Sequence, residues 1–145
     1  MNNAHPPVEY KGRSLGIVFL IAAQVFVGFI HVVFGFWLLT ATWIPSSVGI
    51  FGSSAAPDVY SVYTIVFGLL TLLFTVLLWL QKRWGWVGTF AVLVFVIVAD
   101  SLTLLDLPSI PEIPKFAGYG EITYSILVTL YLFQAHVRTK YGIKF

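Results

Sequence analysis

Between Arg13 and Asp58 the chain runs for 44 residues without a charge. It runs for 23 more between Asp58 and Lys82, and for 16 between Arg83 and Asp100. A helix needs about 20 apolar residues to cross the hydrocarbon core of a bilayer, so uncharged runs of this length restrict the chain to a membrane-embedded fold. Composition agrees. Only 10% of the 145 residues are charged and 59% are hydrophobic, whereas a soluble domain carries about 25% charged residues to cover its wet surface. There is no cysteine, which excludes disulfides, thiolate metal sites and thiol chemistry, and with them the small four-helix redox enzymes that depend on cysteine pairs.

Four segments read as spans: about 15–42, 60–80, 84–105 and 118–137. Backbone groups in lipid find no water, so each must satisfy its hydrogen bonds internally, as a helix does. The expected fold is therefore all-α: a polytopic, four-transmembrane-helix antiparallel bundle forming a single domain over 1–145. The first apolar stretch is far longer than the 7–15 residues of a signal-peptide h-region and reads as a retained anchor. Seven of the eight basic residues, Lys11, Arg13, Lys82, Arg83, Arg138, Lys140 and Lys144, fall on one side, with Glu9 as that side's acid. Lys115 stands on the other side with Asp58, Asp106, Glu112, Asp100 and Glu121, the last two near the membrane boundary. Lys and Arg are retained in the cytoplasm, so both termini are expected there, in a multi-pass cell-membrane protein. The net charge of +2 then reports topology and gives no reason to expect a nucleic-acid partner. Trp79, Trp84 and Trp86 near one boundary, and Trp43, Tyr60, Tyr63 and Tyr119 near the other, fit interfacial belts.

Polar residues inside the spans fall at helical spacing. Ser61, Thr64, Gly68, Thr71 and Thr75 are spaced 3-4-3-4, and Gln24, Gly28, His31 and Gly35 are spaced 4-3-4. Gly85, Thr89, Asp100 and Thr103 follow a compatible period in the third span, as do Glu121, Ser125, Thr129 and His136 in the fourth. Small residues let backbones approach, and hydroxyls hydrogen-bond between helices at roughly 0.6–2 kcal/mol each, so these stripes are expected to face other helices. His31 and Asp100 each lie 16 positions along their span, about 24 Å from its start. An ionisable residue at such depth is a functional candidate. Together with Glu121 the two are candidates for an ion or proton pathway, and with Glu121, Asp106 or Asp58 for a divalent metal. The plainer reading is a polar pair that fixes helix register. His31 and His136 sit near opposite faces and cannot share one haem, and the His5 tail has the composition of a disordered segment. No phosphate loop, Ser-His-Asp set or paired carboxylates appear at a catalytic spacing. Neither a catalytic residue nor a cofactor is expected.

The turn Lys82-Arg83-Trp84-Gly85 and the run Val137-Arg138-Thr139-Lys140-Tyr141-Gly142 resemble those of uncharacterised small four-helix membrane proteins of archaea and bacteria. The resemblance covers the second to fourth helices and implies a fold without an activity. Small multidrug exporters carry a glutamate in their first helix, which this chain lacks. The functional expectation is a non-catalytic accessory or structural subunit of a larger membrane complex, of the kind found in respiratory enzymes and copper-dependent membrane monooxygenases. Its partners would be membrane lipids and larger membrane subunits. The leader 1–14 and the proline-rich segment 107–117 are expected to dock on such a partner. The alternative is a small oligomeric channel or transporter using the stripes and His31 and Asp100. A channel would line a wet lumen with the stripes; a subunit would bury them dry.

Overall fold

Long apolar runs that must close their own backbone hydrogen bonds become helices, and the elements observed are helices throughout. The computed structural model describes residues 14–41, 57–107 and 115–144. Its elements are α1 (Leu15–Ala41), α2 (Pro57–Trp79), α3 (Arg83–Leu104), α4 (Lys115–Leu132) and a short α5 (Ala135–Lys140). Three of them, over Leu15–Thr40, Val59–Trp79 and Arg83–Leu104, are long and apolar enough to cross a membrane. α4 is the least apolar of the four long helices, with Lys115 and Glu121 in its first half. Expectations about the leader 1–13 and the segment 108–114 lie outside the described residues.

Helix directions follow from which residues meet. Along α1, Gln24, Gly28 and Gly35 meet Thr75, Gly68 and Ser61 of α2 in turn, so numbers rise on one helix as they fall on the other. Trp86 bonds Leu132 and Asp100 lies against Gly118, which runs α3 and α4 in opposite senses. Gly16 packs on Tyr131 and His31 reaches Glu121, so α4 also flanks α1 antiparallel. The four long helices thus close into an up-down-up-down ring.

The α2–α3 turn spans two residues' worth of reversal without a glycine. Lys82 N–H donates to Leu77 O and Gln81 N–H to Leu78 O, both at 2.9 Å. This paired closure is the Schellman pattern, which places Gln81 in the left-handed region at φ 55°. The pattern recurs after α3, with Asp106 at φ 55°, and after α5, where Gly142 takes φ 69°.

The fourth predicted run differs from the structure. It does not continue to Val137: the helix ends at Leu132, and Gln134 adopts an extended ψ of 137° before α5 begins. The break folds α5 back under the bundle. Val137, Tyr141 and Ile143 are buried there with Ile17, Leu20, Leu78, Trp86 and Leu132. Trp86 Nε1 donates to Leu132 O at 3.0 Å and Tyr141 Oη to Leu78 O at 3.1 Å, so backbone carbonyls at two helix ends accept side-chain donors. Trp86 is therefore a core residue at 4% exposure, while Trp79 and Trp84 remain exposed as belt residues would be.

Candidate functional site

The polar stripes face inward but for His136, which is exposed. Gln24, Ser61, Thr64, Thr71, Thr75, Thr89, Asp100 and Ser125 are buried, as are Gly28, Gly35 and Gly68, and Thr129 is half-buried. Leu73 on the opposite face of α2 is half exposed at 53%. The glycines set the spacing of α1 and α2. A Cβ on Gly68 would stand 2.7 Å from Gly28 O, and one on Gly35 would stand 2.9 Å from Ile65 N. Hydroxyls mostly turn back on their own helices: Thr64 Oγ1 donates to Tyr60 O at 2.7 Å. Thr75 Oγ1 has two acceptors in range, Thr71 O at 2.6 Å and Gln24 Oε1 at 3.1 Å across the α1–α2 interface. A cavity bounded by Gln24, Phe67, Thr71, Thr89 and Tyr124 leaves about 10 Å³ for the centre of a water molecule, the room of one water at most.

A second polar group lies nearer the end where α1 closes and α4 starts. His31 Nδ1 is 2.8 Å from Val27 O, and Nε2 is 3.4 Å from Glu121 Oε1. A carbonyl can only accept, so Nδ1 carries a hydrogen. The contact on the far side of the ring then needs a proton between Nε2 and the carboxyl, whichever atom holds it. His31 and Glu121 side chains retain 17% and 22% exposure. Asp100 has none: the residue is 0% exposed, and neither of its oxygens has a hydrogen-bond partner. Its carboxyl is within electrostatic reach of both Glu121 and His31. Gly118, one turn before Glu121, faces it: a Cβ there would make ordinary contact with Asp100 Cβ at 3.6 Å.

Aromatic rings enclose this cluster. Phe67 meets the His31 ring edge-on at 4.7 Å, Tyr63 stacks on both Tyr60 and Phe67, and the Tyr63 hydroxyl is buried without a partner. Phe67 also lines the small cavity, so one apolar ring stands between the cluster and Gln24.

The structure thus brings His31, Asp100 and Glu121 together, with Glu121 as the partner of the imidazole. His136 is exposed on α5 against Tyr131, and Asp106 pairs at 2.7 Å with Lys115 in an exposed contact. Among the described residues no three His, Asp or Glu side chains are grouped to hold a metal ion; the Asp58 side chain lies outside them. Sequence reasoning missed Tyr60 and Tyr63 as walls of the cluster. The signal was present: Tyr60 precedes Thr64, and Tyr63 precedes Phe67, by one helical turn, which puts both beside the stripe. Comparison with protein-family models, curated proteins and solved structures finds no match to this chain.

Proposed function

We propose that this protein is a non-catalytic accessory or structural subunit of a larger membrane protein complex. It crosses the membrane four times with α4 as the last span, and both termini are cytoplasmic. One observation carries the reading: the polar stripes are consumed between helices around a cavity no larger than one water, with Phe67 closing it towards His31. A conducting bundle would need those residues around a continuous wet passage. The outward faces are instead apolar, and on α1 Phe19, Phe26, Phe29, Phe36 and Trp37 are all exposed, a surface for acyl chains and for neighbouring apolar helices.

The test is purification from native membranes in mild detergent, followed by mass spectrometry and native-gel sizing. A fixed stoichiometric companion of larger mass is the expected result. Recovery of the chain alone, together with ion or solute flux in proteoliposomes, would overturn the subunit reading in favour of a small oligomeric transporter. The buried, unpartnered Asp100 is the feature that favours that second reading.

A further inference from the structure

We propose that the His31–Glu121–Asp100 cluster is a proton-binding site, in which Asp100 holds one proton beyond the one held between His31 and Glu121. The site lies inside the bundle, whether the chain acts in a complex or alone. His31 Nδ1 is committed as donor to Val27 O, so the Nε2–Oε1 contact contains one proton and the imidazole–Glu121 pair is neutral as a unit. That leaves Asp100 with no counter-charge of its own. Its oxygens are fully enclosed and neither has a hydrogen-bond partner, the Glu121 carboxyl being the side chain whose charge acts on it most. A carboxylate in that position would be a buried charge with neither partner nor hydrogen bond, the costliest state available to the side chain.

Every packed helix contributes to the surroundings. α1 presents His31, α2 presents the phenols of Tyr60 and Tyr63, α4 presents Glu121, and α3 presents Asp100 itself. No Lys or Arg is among them; Lys115 is engaged with Asp106 in an exposed contact. No group of three His, Asp or Glu side chains placed to hold a metal ion occurs among the described residues. His31 and Glu121 are partly exposed while Asp100 is not. In this arrangement Glu121 has the imidazole on one side and the enclosed carboxyl within electrostatic reach, able to receive a proton from one and pass it to the other.

The experiment uses the full chain, purified in detergent, as wild type, Asp100→Asn and Glu121→Gln. Infrared spectra are recorded across a pH series in sodium-free choline chloride. The expected result is a protonated-carboxyl C=O stretch in the wild type at neutral pH that vanishes in alkali. It should be absent from Asp100→Asn and retained, shifted, in Glu121→Gln. Thermal unfolding gives an independent reading. If the folded state holds one more proton than the unfolded chain, stability falls as pH rises, and Asp100→Asn should flatten that slope by one proton. Asn is neutral and isosteric, so the variant should fold. Absence of the carboxyl band from the wild type, or its persistence in Asp100→Asn, overturns the proposal. So does a wild-type unfolding temperature that rises with sodium at fixed pH while Asp100→Asn does not respond, since the site would then take a metal cation.

Discussion

Gly68 sits where two helix backbones touch, and no side chain can move aside to admit a methyl group. The nearest atoms to its missing Cβ are Gly28 O at 2.7 Å and Val32 N at 2.8 Å, both backbone or fixed to it. Gly120 presents the opposite case, with nothing within 4 Å of its Cβ position. Gly68→Ala should therefore destabilise by about 1–3 kcal/mol, the range for forcing extra volume into a packed interface, and Gly68→Leu by more. Gly120→Ala should instead stabilise by about 0.5–1 kcal/mol, as expected when a helical glycine gains a Cβ in open space. Unfolding of the two variants in matched detergent micelles tests the pair; equal responses would show that the close α1–α2 approach is not what holds the bundle. The glycine and hydroxyl positions were legible in the sequence because their spacing repeats with the helix. Their partners were not. Thr64 back-bonds to Tyr60 O rather than reaching another helix, and His31 finds a residue 90 positions away; both outcomes depend on how each helix is rotated about its axis.

At the scale of elements, the ends carry the information that periodicity lacks. Gln81 adopts φ 55° to close the α2–α3 turn, a conformation that costs an L-residue with a Cβ roughly 1–2 kcal/mol. Gln81 is exposed, so no packing offsets that cost. Gln81→Gly should raise stability by about 1 kcal/mol, since glycine relieves the strain but loses more chain entropy. The same change at Leu80, one residue earlier and not at a positive φ, should give no gain; a similar rise at both positions would mean that turn geometry is not responsible. The three long apolar helices could be read directly from uncharged length. The α4–α5 break could not, because Phe133-Gln134 contains neither proline nor glycine and the flanking Leu132 and Val137 keep the run apolar. What ends α4 is tertiary: the Trp86 indole takes up Leu132 O, and burial of Val137 and Tyr141 beneath the bundle rewards the reversal.

At the scale of the whole molecule, folding gathers charges that lie far apart in sequence. The hydrogen bond from Tyr141 to Leu78 O ties α5 to the end of α2, so Arg138 and Lys140 lie at the same end as the Lys82-Arg83 turn. The opposite end carries Asp106 and Lys115, which neutralise one another at 2.7 Å. Four basic residues thus share one end of the bundle, and retention of Lys and Arg in the cytoplasm acts on short loops of this kind. Reporter fusions at Phe145 should be active in the cytoplasm, and fusions at Ser53 and Glu112 outside it. Because α1 and α4 both flank the ring with their polar residues inward, α4 must run the full way back for Gly16 to meet Tyr131. A C-terminal fusion that reports from the outside would mean either that the whole bundle is inverted or that α4 lies along the membrane surface, and the second case would break the contact between His31 and Glu121. Fusions at Glu112 and Phe145 taken together decide the matter: opposite sides mean that α4 crosses, and the same side means that three helices alone make the membrane domain.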